Sequence, residues 1–448
     1  MVYSKQTFNL TRRDIIKRGL IGAAGMTTCG RLFAEGTAAT PSAGSTVART
    51  PARAKSVIQI WMWGGPCHLD TFDPKPDAGK DYCGPLNKPI ASNVDGIQIG
   101  QLLPQLAKQA DKYSIIRSMT HGINGHETAS YRVQTGHDPG RLVYPSAGAV
   151  VSLFKGYEHG YKGVVPPYIV LTQPQGRFSE AGFLGQQYKP FSTGGDPNRD
   201  PFAVEGIIAK GISDTRQQSR RELLGQLDTL GEAMGANKQF TQFDECEAKA
   251  YEMMFGDARK LFDLTQEKDA VRDQYGRNTF GQSCLAARRL VEHGVPYITI
   301  NYKGWDTHKQ HFEIMNRKLP EMDQAMAALL TDLSERGLLD QTIVWWGGEF
   351  GRGPKVQWEA PWNGGRSHYG KCFCSVVAGG GFKGGRVVGA SDEKGMEVKD
   401  RPVYPEELLA SMYTLLDINP AGAMPNPRGM DLKVMPLADD RKLLTEIM

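Results

Sequence analysis

Imidazoles and carboxylates recur in this 448-residue chain at one kind of place, just beyond short apolar runs. Gly64-Gly65-Pro66-Cys67-His68-Leu69-Asp70 follows the run Val57 to Trp63, and His121-Gly122-Ile123-Asn124-Gly125-His126-Glu127 follows Tyr113 to Arg117. Gly304-Trp305-Asp306-Thr307-His308 and then His311 follow Pro296 to Asn301. Gly347-Gly348-Glu349-Phe350-Gly351-Arg352 follows Thr342 to Trp346, and Arg366-Ser367-His368 comes shortly before Phe373 to Ala378. Seven of the nine histidines fall in or near these segments; His159 and His293 do not. Neutral imidazole and carboxylate together suit a divalent metal ion with mixed nitrogen and oxygen ligands, with zinc, calcium and manganese all open. His68, Asp70, Asp306, His308, Glu349 and His368 are the candidate ligands. Arg352, near Glu349, and Arg366, near His368, carry planar donor forks that hold an anion, or else pair with and orient a ligand carboxylate. His121 and His137 are expected to be satisfied by backbone carbonyls or to support the ligands.

Those segments need elements to position them. Short apolar runs of this kind, bounded by Gly and Pro, read as strands buried on both faces. Six are legible: Val57–Trp63, Tyr113–Arg117, Tyr168–Leu171, Pro296–Asn301, Thr342–Trp346 and Phe373–Ala378. Amphipathic helical patterns separate them at Leu103–Lys112, Glu127–Thr135, Ser146–Phe154, Thr279–His293, Phe312–Arg336 and Pro405–Leu416. The alternation predicts an α/β three-layer sandwich with a mostly parallel central sheet. Ligands of such a sheet sit beyond the carboxyl ends of its strands. Residues 200–275 break the rhythm and read as a helical insertion of two or three helices.

Charge and leader bear on partners. The chain has 53 Lys plus Arg and 49 Asp plus Glu, a formal net charge of +4. Residues 1–34 hold six bases and one acid, which leaves 47 basic and 48 acidic residues in the remainder. The basic excess therefore belongs to the leader, and nucleic acid is excluded as the expected partner. No apolar run reaches the ~20 residues of a membrane span. Thr11-Arg12-Arg13-Asp14-Ile15-Ile16-Lys17 precedes a short, Gly-rich apolar stretch, and cleavage after Ala34 is plausible. This order reads as a twin-arginine export signal over residues 1–34, followed by a linker at 35–54 and one α/β domain at 55–448. Six cysteines lie beyond the leader and none forms a Cys-x-x-Cys pair, so a cysteine zinc site is not expected.

The motifs carry a family resemblance. Gly65-Pro66-Cys67-His68-Leu69-Asp70-Thr71-Phe72-Asp73-Pro74-Lys75-Pro76, Gly304-Trp305-Asp306-Thr307-His308, Arg336-Gly337-Leu338-Leu339-Asp340 and Gly348-Glu349-Phe350-Gly351-Arg352 resemble the family called domain of unknown function 1501. That family is grouped with the alkaline phosphatase and sulfatase superfamily, which implies an α/β sandwich with a metal site at the strand ends. Three departures stand out: Cys67 where the family usually has Ser, Arg352-Gly353-Pro354 where it has Gly-Arg-Thr-Pro, and Ser367-His368-Tyr369 where it has Asp-His-Trp. The sulfatase Cys-x-Pro-Ser-Arg motif is absent, and the superfamily's nucleophile spacing before Thr135-Gly136 falls on His126. His126 is thereby nucleophile, base or ligand, and at a helix N-terminus its neutral form is expected.

The resemblance implies an exported, metal-dependent hydrolase of phosphate or sulfate esters, with sulfated or phosphorylated glycans among its anionic substrates. The alternative is a catalytically silent, sulfatase-like binding or assembly protein, motivated by the missing nucleophile.

Overall fold

The computed structural model describes residues 54–173, 180–205 and 258–448 apart from 427, with four positions between 206 and 257. The expected export signal, all of the linker but Ala54 and most of the expected insertion lie outside the described residues.

Eight strands form one sheet: β1 (Ser56–Met62), β2 (Tyr113–Met119), β3 (Tyr168–Leu171), β4 (Phe191–Ser192), β5 (Tyr297–Tyr302), β6 (Thr342–Gly347), β7 (Phe373–Ala378) and β8 (Arg386–Val388). Their order across the sheet is β8-β2-β7-β6-β1-β5-β3-β4. The central strand β1 runs parallel to β5 and β6, with Val57 opposite Tyr297 on one side and Ile343 on the other. Within this sheet the two pairings of β7, with β2 and β6, are antiparallel and the rest are parallel.

β1 is buried along its whole length because both faces of the sheet are covered. Its side chains alternate between the two covers. Ile58, Ile60 and Met62 pack into one core with helices α3 (Thr279–Glu292) and α4 (His311–Glu335). Val57 and Trp61 pack into the other with α2 (Ala147–Lys155) and α5 (Pro405–Leu415). The architecture is the expected three-layer α/β sandwich. Local signals set the helix ends. Ser146 Oγ accepts from the Ala149 N–H at the start of α2, and Asn278 Oδ1 accepts from the Gly281 N–H at the start of α3. Gly136, at φ 70°, ends the helix α1 (His126–Thr135) in the left-handed conformation a side chain disfavours.

The reversal of β7 explains one feature of the sequence. Parallel strands deliver their following segments to one edge, whereas a reversed strand delivers its preceding segment there. His368 therefore reaches the same edge as Asp306 and Glu349 although it comes before its strand. No described helix is long and apolar enough to cross a membrane.

Candidate metal centre

Five of the residues expected to do chemistry, His126, Asp306, His308, Glu349 and His368, converge beyond the ends of β2, β5 and β6 and ahead of β7. Asp306 is their hub. Its Oδ1 lies 3.0 Å from His368 Nε2 and 3.1 Å from His308 Nε2, and its Oδ2 lies 3.2 Å from His126 Nε2. The other nitrogen of His126, Nδ1, lies 2.7 Å from Glu349 Oε1. Asp306 and His308 are two apart in a tightly turned segment, with the Thr307 N–H donating to the Trp305 carbonyl and the His308 N–H to the Asp306 carbonyl, and both side chains meet at the cup. The Asp306 and His308 side chains are 39% and 38% exposed, whereas Glu349 is fully buried, so the cluster is an open cup with a buried floor.

The floor is tied down by backbone. Glu349 Oε1 accepts the Gly64 N–H at 2.9 Å, while its Oε2 is buried without a hydrogen-bond partner. The Glu349 carbonyl accepts from His121 Nε2 at 2.7 Å, and His121 Nδ1 accepts the Ile123 N–H at 3.1 Å. His121 is thus neutral and saturated, a support for the floor, and burial pushes it down to about 4. His137 stands apart from the cluster, stacked on Tyr144 with ring centres 3.6 Å apart.

Three donor atoms, one carboxylate oxygen and two imidazole nitrogens, meet at one point of the cup. His368 Nδ1–H donates to the Asn124 carbonyl at 2.7 Å, which leaves Nε2 as the lone-pair nitrogen. That Nε2 sits 2.8 Å from His308 Nε2, so two imidazole nitrogens and a carboxylate oxygen crowd one point. Burial and the Arg352 charge push His308 down, which keeps it neutral. Two ligand nitrogens on one tetrahedral zinc lie roughly 3.3 Å apart. Opening the observed contacts by a few tenths of an ångström would seat an ion. The orphan Glu349 Oε2 and the carbonyl-anchored His368 are what a metal centre requires of its floor and its surround. The donor set fits a divalent metal.

His126 differs from expectation. The helix N-terminus disfavours an imidazolium, yet hydrogen bonds to Asp306 and Glu349 raise this ring to about 9. Two carboxylates within 3.2 Å outweigh the roughly half charge of a helix end. For Asp306, burial pulls upward but is overridden by His126, His368 and Arg352, and the carboxyl falls far below its usual range.

The remaining candidates form a second, buried group beneath the cup. Asp70 Oδ2 lies 2.6 Å from His311 Nε2, and Arg366 approaches Asp70 at 3.5 Å. His68 Nε2 is hydrogen-bonded to the Gly395 carbonyl at 2.9 Å, and its Nδ1 is buried and unpartnered. His68 and Asp70 therefore do not join Asp306, contrary to the expectation that all six ligands would share an ion. The two-residue step that pairs Asp306 with His308 does not pair His68 with Asp70. Their segment folds into a turn, with the Thr71 and Asp73 N–H groups both donating to the His68 carbonyl.

Neither arginine is free for an anion. Arg366 is fully buried and donates to the carbonyls of Gly353, Pro354 and Tyr82. Arg352 is likewise buried, donating to Asp306 Oδ1 at 2.7 Å and to the carbonyls of Gly64 and Arg366. In this arrangement Arg352 meets the Asp306 carboxylate and Arg366 stands beside that of Asp70. The supporting roles of Asn124, Thr307 and the Gly64 N–H have no signal in the sequence, because backbone groups and a buried hydroxyl carry no distinctive residue pattern. Cys67, Cys372 and Cys374 are buried free thiols. Burial pushes Cys67 and Cys372 up to about 12, which disfavours their thiolates at neutral pH.

A family model described as "Protein of unknown function (DUF1501)" matches residues 54–448. The chain belongs to this family. The match spans all the elements described above and both groups of side chains. No curated protein matches the chain. Among solved structures, a mutant of the alkaline phosphatase PafA is 9% identical, with 89% of this chain and 100% of that one covered and a TM-score of 0.44. A protein in the alkaline phosphatase superfamily from Vibrio parahaemolyticus is 10% identical, with 82% and 67% covered and a TM-score of 0.38. The PsFucS1 sulfatase from Pseudoalteromonas sp. is 14% identical, with 76% and 66% covered and a TM-score of 0.31. These are likenesses of fold.

Proposed function

We propose that this DUF1501 member is a divalent-metal-dependent hydrolase of phosphate or sulfate esters, exported through the twin-arginine route. The observation that carries the metal reading is the meeting of Asp306, His308 and His368 at one exposed point above the orphaned Glu349 Oε2. Asp306, His308 and His368 would hold the ion, with His126 and Glu349 at its flank. The imidazole content favours zinc; manganese and calcium are better served by oxygen ligands, calcium the more strictly. The bound ion would supply Lewis-acid stabilisation of negative charge on an ester's oxygens.

The chain's own residues do the rest. Arg352 holds Asp306 ionised and oriented, and Asn124 fixes the His368 ring so that Nε2 faces the cup. His126 presents two N–H groups to carboxylates and sits at the open rim, where it can pass a proton to a leaving oxygen. A phosphate or sulfate ester, including one carried on a glycan, is the anion such a centre would accept.

Metal analysis of the purified protein, with turnover of aryl phosphate and aryl sulfate esters, tests this reading. About one zinc or manganese per chain, and turnover that disappears with His308→Ala together with the metal, is expected. Full metal content in His308→Ala would sink the ligand set.

A second reading has its own observation. No thiol or hydroxyl of the superfamily's nucleophile type stands among the five clustered residues, and the position it would occupy is His126. A silent binding protein would retain the metal and bind sulfated or phosphorylated glycan without turnover.

A further inference from the structure

Between Asp306 and His308 stands Thr307, whose side chain is buried against His311 rather than open to the cup. Its hydroxyl lies 2.5 Å from His311 Nδ1, and His311 Nε2 lies 2.6 Å from Asp70 Oδ2. We infer that Thr307, His311 and Asp70 form a buried positioning relay that fixes the Asp306–His308 pair for an ion. This inference rests on the metal reading above.

Direction along the relay follows from its ends. Asp70 is held ionised: burial opposes this, but Arg366 and His311 override it. His311 is neutral, burial pushing it down to about 4. A carboxylate can only accept, so His311 donates from Nε2 and accepts at Nδ1, and the Thr307 hydroxyl must donate. Each group has one role, and the ring cannot turn over without breaking both bonds. The arrangement resembles a hydroxyl–imidazole–carboxylate triad but is not catalytic, since all three side chains are buried away from the cup.

The same short segment is gripped from the backbone. The Arg366 N–H donates to the Thr307 carbonyl at 3.1 Å, and the Arg366 guanidinium stands beside Asp70. A Cβ on Gly64 would lie 2.1 Å from the Asp306 nitrogen, and one on Gly365 would lie 1.8 Å from the His308 oxygen. Gly64 and Gly365 therefore pack directly on the two ligand residues. Thr307 is the side-chain anchor between these two contacts. Removing its hydroxyl leaves His311 Nδ1 buried without a donor and frees the segment to rotate.

Zinc titration of the full chain by calorimetry tests the relay, with ring-nitrogen NMR of histidine-labelled protein beside it. Thr307→Val should weaken zinc binding roughly 10–100-fold, the range for loss of a supporting contact. Thr307→Ser, which restores the hydroxyl, should bind close to wild type. The Thr307→Val spectrum should show moved His311 and His308 signals. Unaltered zinc affinity in Thr307→Val overturns the relay. Should wild type bind neither zinc nor manganese, the metal reading falls, and the ring signals alone decide: unmoved His308 signals in Thr307→Val overturn the relay too. Where Thr307→Val does not fold, Asp70→Asn carries the same expectation and the same decision.

Discussion

Arg352 shows how burial reassigns a residue whose type suggests substrate contact. Its terminal nitrogens face Asp306 and two carbonyls, and its Nε is buried without a partner. No ammonium could meet Gly64, Asp306 and Arg366 at once. Arg352→Lys should therefore lower zinc affinity at least tenfold. It should also cost about 2 kcal/mol of stability, less than the 3–5 of a fully buried pair because Asp306 is partly exposed. Parallel zinc calorimetry and urea melts check this; unchanged metal binding with weaker substrate binding would restore the clamp role. The cup itself was legible, since Asp306, His308, Glu349, His368 and His126 all lie next to strands and are of ligand type. The misplaced residues, His68, Asp70 and Arg366, are of the same types and equally near strands. Nothing in residue type distinguishes a side chain aimed out of the sheet edge from one folded beneath it.

At the level of elements, six strands were legible because double burial writes them as continuous apolar runs. Tyr168–Leu171 and Phe373–Ala378 match their expected bounds, and the others shift by one or two residues. β4 and β8, two and three residues long, were not legible because so short an edge strand has no periodicity. Nor was the direction of β7, since a buried run reads alike in parallel and antiparallel pairing. The glycine pairs are where elements meet at closest range. Gly365→Ala would drive a methyl into the His308 carbonyl, and backbone has to yield. A loss of roughly 2–3 kcal/mol, typical of overpacking, is expected together with weaker zinc binding. Gly140, with nothing within 4 Å of a Cβ, is the control: Gly140→Ala should stay within about 0.5 kcal/mol. Equal melts for the two variants would mean that the contact with His308 is not tight in solution.

For the whole molecule, the proposed export signal and the domain described above lead to separate predictions. The basic excess of residues 1–34 and the Arg12-Arg13 pair motivate export. Replacing both arginines by lysine should leave unprocessed precursor in the cytoplasm, read by fractionation and immunoblot; normal export of that variant would end the twin-arginine reading. Stability of the folded part should depend on pH through histidines buried in neutral form. His137 is the clean case, because it lies outside the cup, and burial, aided by Arg132, pushes it down to about 4. An unfolded histidine titrates near 6.5. Between pH 6.5 and 4 the unfolded chain therefore binds a proton at this position that the folded chain refuses. By linkage, that makes folding less favourable as pH falls through the window and has no effect above it. His137→Phe keeps a ring against Tyr144 and removes the titration. Wild type should lose roughly 1–2 kcal/mol more than His137→Phe between pH 7.5 and pH 5, after discounting for the ring's partial exposure. Urea midpoints at the two pH values measure this difference. Parallel losses in the two proteins would show that the ring protonates in the folded state as readily as in the unfolded chain.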